Sequence, residues 1–176
     1  MTLLFRASLP SWYPASYYIQ PHYSTMPAFL LIEDAVRPNL SGRRRRFWTR
    51  ARDAGLAQWN DVGFAITVLD TTTPYGANRV TLNFDDKVPP ELGAWHWFEG
   101  PPCGIGTGCD WIHFNPTRFE QAYLAHAPGQ VKYLVAHEFG HSLGFGHGGT
   151  GIMDETPDHA QVNDEEIAAA RAYWFP

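Results

Sequence analysis

Apolar residues recur along this chain in two rhythms, short dense runs and longer stretches spaced every three or four positions, which predict strands and helices respectively. "FAITVLDT" (Phe64 to Thr71), "NRVTLNFDD" (Asn78 to Asp86), "GAWHWFE" (Gly93 to Glu99) and "DWIHFN" (Asp110 to Asn115) are β-branched or aromatic and bounded by Pro, Gly, Asn or Asp. They read as strands. A first helix is expected from a cap at Ser41 to about Asn60, with Phe47, Ala51, Ala54 and Trp59 as inward candidates. A second runs from about Gln130 to Leu143, announced by "APGQ" and ended by Gly144. A third covers Asp164 to Tyr173, where Asn163 and Glu166 stand at the spacing of a capping box. Before these elements, the stretch to about Glu33 is rich in Pro, Ser, Tyr and Trp and shows neither rhythm. Residues 1–35 are therefore read as an aromatic arm and 36–176 as one folded domain. The arm either wraps that domain or docks onto a partner.

Size and composition agree with a single compact, loop-rich globular domain. A chain of 176 residues buries roughly 70% of its unfolded surface. At 44% hydrophobic and 18% charged, it has no resemblance to a disordered sequence. The net charge of −5 offers nucleic acid or an anionic membrane no general attraction. Seven of the 13 basic residues do lie between Arg37 and Arg52, but arginines on a helix among apolar neighbours read as a solvated face. Nowhere are there enough consecutive apolar residues for a membrane span. The first residues lack a basic region, a sustained apolar run and a cleavage site, so no export signal is read there. Cys103 and Cys109 flank "GIGTG", a segment supple enough to let them form a disulfide. Two free thiols in a reducing compartment are the other reading.

The chemistry concentrates in "VAHEFGHSLGFGHGGTGIMDE", Val135 to Glu155. His137 and His141 are four residues apart and project from one helix face, close enough to hold the same ion. Gly144 and Gly146 can end the helix and turn the chain back, so that His147 supplies a third imidazole. Three neutral imidazoles with an open fourth position are the ligand set of a catalytic zinc rather than a structural one. Glu138 follows the first ligand about 100° round the helix, beside the ion rather than on it. There it can act as general base toward water.

This stretch resembles the metzincin zinc endopeptidases, whose H-E-x-x-H-x-x-G-x-x-H pattern is matched at His137, Glu138, His141, Gly144 and His147. "GIMDE" looks like the family's Met-turn, with Met153 as the apolar floor beneath the metal. Within that group the chain is most similar to the matrixins, from about Leu40 to Trp174. "GLAQWNDV", "DWIHFNPTRF" and "NDEEIAAARAYW" resemble the family's first helix end, pre-catalytic strand and turn, and closing helix. The resemblance implies a zincin-like α+β fold: a twisted mixed sheet with two helices above the zinc cleft, and a small C-terminal lobe with the Met-turn and last helix. It implies hydrolysis of protein or peptide substrates, an extracellular setting, and a substrate-pairing edge strand at Gly93, Ala94, Trp95 and His96.

The chain also departs from the matrixin pattern. The loop that would complete the family's structural zinc is shortened here to "DDKVPP", so no structural zinc is expected and His96 and His113 are read as ordinary strand histidines. No calcium loop is evident. Gly148 stands where matrixins usually have Ser, and Glu155 where astacin-like relatives place a tyrosine ligand. His22, His126 and His159 are read as surface or packing residues. The rival to an enzyme is a binding or structural module that keeps the fold and the metal in a larger assembly.

Overall fold

The computed structural model describes residues 29–63, 65–69, 79–98, 110–148, 151–154 and 161–174. Within them, five strands and four helices form a mixed α/β architecture. The strands are β1 (Phe29–Asp34), β2 (Ala65–Leu69), β3 (Arg79–Phe84), β4 (Ala94–Phe98) and β5 (Asp110–Phe114). The sheet order is β2-β1-β3-β5-β4. All neighbouring pairs are parallel except β4 and β5, which places the one antiparallel strand at an edge. The four runs expected as strands are β2 to β5.

β1 corrects the boundary of the arm. "FLLIED" closes the segment read as shapeless, yet it pairs in parallel with β2 on one side and β3 on the other. Phe29 to Ile32 are four apolar residues in a row with no alternation, a run that periodicity alone does not assign, and they adjoin the Pro- and Tyr-rich stretch. The fate of the arm before Phe29 and the pairing of Cys103 with Cys109 lie outside the described residues, as do His22, Glu155 and His159.

The helices are α1 (Gly42–Leu56), α2 (Pro116–Leu124), α3 (Pro128–Ser142) and α4 (Asp164–Trp174). The first predicted helix is α1 followed by a 3-10 segment, Ala57–Val62. Ser41 is its N-cap residue but makes no side-chain capping bond. Trp48, Ala51, Arg52, Gly55 and Leu56 are buried, whereas Ala54, expected inward, is exposed. α2 was not expected, because "NPTRF" read as a turn. Asn115 caps it, its Oδ1 accepting from the N–H of Thr117 (2.9 Å) and Arg118 (3.1 Å), and Pro116 starts the first turn. At α4 the expected capping box is present and reciprocal: Glu166 N–H donates to Asn163 Oδ1 (2.9 Å) and Asn163 N–H to Glu166 Oε2 (3.0 Å). On α1, Arg44 spends its charge on Glu120 of α2 at 2.6 Å and stacks on Tyr123.

Alternation in the sheet puts Ile32, Asp34, Val80, Leu82, Ile112, Phe114 and Ala94 on the face that packs the helices. Against them lies Trp48, fully buried, its ring 5.0 Å from Phe114 and 6.0 Å from Phe119. Asp34 is the polar exception on this face. Its Oδ1 accepts from the N–H of Val36 (3.0 Å) and Arg37 (2.9 Å), and its Oδ2 from Trp48 Nε1 (2.8 Å) and the Arg52 guanidinium. One carboxylate thus ties the end of β1 to the middle of α1. α1 in turn crosses α3 so closely that a Cβ at Gly55 would come within 2.8 Å of Lys132 O and Val135 Cβ.

Replacing Asp34 with Ala takes the partner from buried Trp48 Nε1, from one arm of the Arg52 guanidinium, which keeps only Asp53, and from the N–H groups of Val36 and Arg37. Loss of one member of a buried pair costs about 3–5 kcal/mol, so the variant's urea midpoint should fall steeply, with the transition slope unchanged.

Candidate metal centre

α3 carries the first two of the candidate ligands on a helix buried at every residue from Tyr133 to Ser142. Its position is set from below by Trp59, whose Nε1 donates to Ala136 O at 2.9 Å, one residue before His137. Leu143 ends the helix and Gly144, at φ 99°, turns the chain in the left-handed region. Gly144 N–H returns to His141 O (2.9 Å) and Phe145 N–H to Gly140 O (3.0 Å), which satisfies the last helical carbonyls. Gly146 takes no positive φ, so one glycine rather than two makes the reversal. His147 follows, and its ring comes back against the helix.

The three imidazoles meet. His137 Nε2 and His141 Nε2 each lie 3.1 Å from His147 Nε2. The rings are 2%, 5% and 7% exposed in chain order. His137 Nδ1 donates to Ile152 O and His141 Nδ1 to Phe145 O, both at 2.7 Å. A proton fixed on Nδ1 leaves the Nε2 lone pair of each of these rings facing His147. A proton on His147 Nε2 could bridge one of those contacts well but not both. A cation shared by three lone pairs satisfies all of them, and nitrogen ligands about 2.0–2.1 Å from a tetrahedral ion lie roughly 3.3–3.4 Å apart. The residues therefore fit a metal ion. Among the described residues, they are the one group of three or more such side chains able to hold one.

Burial dominates the electrostatics. It holds the His137 and His147 imidazoles down at about 4, and His141 well below its ordinary value, with the neighbouring rings adding to the effect at His137 and His141. The ligands are thus neutral and ready to donate. Glu138, 1% exposed, is pushed up to about 7 by the same burial, opposed by the charge of His96 and by a hydrogen bond from the His96 main-chain N–H.

Met153 lies directly under α3. A Cβ at Gly140 would overlap its sulfur and come within 2.9 Å of Trp59 Cζ2, so only glycine lets the thioether approach the helix between the two ligand turns. The loop that carries it is closed by Gly148 N–H to Met153 O at 3.0 Å. Sequence reasoning missed what anchors this loop. Glu166 of α4, wholly buried, accepts from Ile152 N–H (3.0 Å) and Met153 N–H (2.9 Å). A Cβ at Gly151 would overlap that carboxylate. Ile152 thus receives support on its N–H from Glu166 and orients His137 with its carbonyl. The capping box at Asn163 was the available signal, but it identifies a helix start and says nothing of a second target.

The expected substrate strand is the edge strand β4. Gly93, just before it, is buried with its carbonyl accepting from Asn115 N–H (2.9 Å), and Ala94 is buried against the helices. Trp95 and His96 are half-buried. Trp95 stands opposite His113 and His96 opposite Ile112, so alternation places the two histidines on opposite faces of the sheet. His113 instead lies 3.2 Å from Asp85, and burial lowers its basicity despite that neighbour. His126 is exposed in the turn between α2 and α3 at φ 52°, away from the centre.

No family model and no curated protein matches the chain. Among solved structures it is similar to a chain of the "GM1 bound form of the ECX AB5 holotoxin", at 12% identity over 89% of this chain and 74% of that one, with a TM-score of 0.45. A likeness at that level says nothing of chemistry. No described helix is long and apolar enough to cross a membrane.

Two outcomes follow from the centre's construction. The protein should bind one divalent ion per chain. Chelator competition should find that ion lost in His141→Ala, and held about 10- to 100-fold more weakly in Glu166→Ala, where the ligands remain but the support behind His137 is gone.

The metal-free protein should lose stability as pH falls from 6.5 toward 4. Over that window the unfolded chain protonates histidines that the folded chain keeps neutral. Glu138, raised in the fold, works in the opposite direction, but as one group against three. Urea titrations at stepped pH in excess chelator read the slope directly.

Proposed function

We propose that this protein is a zinc-dependent endopeptidase with a metzincin-like, matrixin-like fold. The observation that carries the reading is the convergence of three imidazole Nε2 atoms beside a buried carboxyl, Glu138, that is hydrogen-bonded to the edge strand of the sheet. Imidazole sets also suit iron, copper and nickel, but three neutral nitrogens with an open position are the arrangement of hydrolytic zinc. When bound there, zinc supplies Lewis acidity that lowers the pKa of water to about 7 and polarises a carbonyl.

The chain's own residues do the rest. His137, His141 and His147 hold the ion, the first two oriented by backbone carbonyls that fix their tautomers. Met153 gives the site an apolar floor. β4 is antiparallel to β5 and ends the sheet order among the described residues, and an extended peptide can add to it as a further strand, bound through main-chain amides with little demand on sequence. Amide hydrolysis forms a carbon–oxygen bond to water, breaks the carbon–nitrogen bond, and moves one proton from water to the departing amine. Glu138 carries that proton, accepting it during attack and returning it to the amine.

The decisive comparison is wild type against Glu138→Gln on a mixed-sequence peptide library. Gln keeps the shape and leaves the ligands intact, so metal content and folding should persist while cleavage falls by about 10²–10⁴. A wild type that holds its ion and cuts nothing would leave a binding or structural module as the reading.

A further inference from the structure

The edge strand brings one more side chain to the cleft. Alternation in β4 turns His96 to the helix face beside Ala94, where α3 lies against the strand. Its ring centroid is 6.0 Å from that of His141, against 4.8 to 5.1 Å among the three ligand rings. The nitrogens that lie within 4.8 Å of one another belong to His137, His141 and His147, and His96 is outside that set. It therefore flanks the metal position without completing it. Its main-chain N–H meets the Glu138 carboxyl, so backbone and ring of one residue stand beside the base and a ligand together. The ring is half-buried and reaches the cleft from the strand on which a peptide would lie.

Amide hydrolysis loads negative charge onto the carbonyl oxygen as the carbon is attacked. A donor already in place there acts more strongly on the transition state than on the bound peptide. Among the described residues, the three imidazoles face one another, Glu138 carries the proton in the proposed reaction, and the Tyr133 hydroxyl donates to Asp154 O. Resting on the peptidase reading, we propose that the His96 imidazole is a catalytic hydrogen-bond donor to the carbonyl oxygen of a peptide paired along β4. On a sheet where the resemblance led to an expected pair of ordinary histidines, this one serves the reaction while His113, across the sheet, does not.

The test compares the zinc-loaded full chain as wild type, His96→Leu and His96→Gln on the quenched peptide that the wild type cuts fastest. Leu fills the space without a donor, and Gln restores one. His96→Leu should lower kcat by about 10²-fold, as removal of one such donor does elsewhere, with KM little changed. His96→Gln should recover a substantial part of kcat. Zinc affinity, read by chelator competition without substrate, should be the same in all three. An unchanged kcat, a change confined to KM, or equal losses in Leu and Gln would overturn the donor role. A drop in zinc affinity in His96→Leu would overturn it in favour of a fourth ligand. The Glu138→Gln control separates the two levels: if the wild type cuts and that variant does not, the peptidase reading stands and the His96 variants decide alone. If the wild type cuts nothing, both fall together.

Discussion

A helix that buries two histidines and a glutamate within five residues can stay folded only if each polar atom meets the partner that water would otherwise supply. α3 is such a helix, and much of the molecule supplies those partners. Two imidazole N–H groups go to the carbonyls of Phe145 and Ile152. The Glu138 carboxyl takes an N–H from β4. The three Nε2 atoms face one another, a need that a cation answers. The centre is thus the place where the folded chain leaves one requirement open after closing the others.

Those partners have to be held in turn, and two buried carboxylates do so. Asp34 joins β1 to α1, and α1 presses on α3 at Gly55. Glu166 joins α4 to the loop of Ile152 and Met153. Each accepts several N–H groups in a dry setting, where a hydrogen bond to a charged group contributes more than at the surface and its loss costs more. Between them, α3 is fixed to the sheet above and to the Met153 loop below. Small residues permit the approach: Gly55 admits α3, Gly140 admits the Met153 sulfur and Gly151 admits Glu166.

The cleft is correspondingly asymmetric. On one side stands β4, the edge strand among the described residues, and on the other the loop under α3. The proposed peptidase would use this combination of an edge strand and a pre-oriented ligand set, one to hold main chain and the other to fix the ion. His96 links the two, since it belongs to the strand and stands beside the ligand His141.

How much of this was legible in the sequence depended on how local the cause was. Spacing alone placed His137 and His141 on one helical face and Glu138 beside them, because 3.6 residues per turn is a property of the helix and not of its surroundings. Gly144 marked the reversal, and Asn163 with Glu166 marked a helix start, through chemistry that spans a few residues. Four strands followed from local runs. β1 did not, because its four consecutive apolar residues carry no alternation and adjoin the Pro- and Tyr-rich stretch. α2 did not, because "NPTRF" fits a turn and a helix start equally well until Phe119 and Ala122 find a core. Which face of β4 carries His96, why residue 140 has to be glycine, and that Glu166 reaches past its own cap to the amides of Ile152 and Met153 were decided by the tertiary structure alone. Each is a contact between segments far apart in the chain, and a linear sequence holds the two halves of such a contact without recording that they meet.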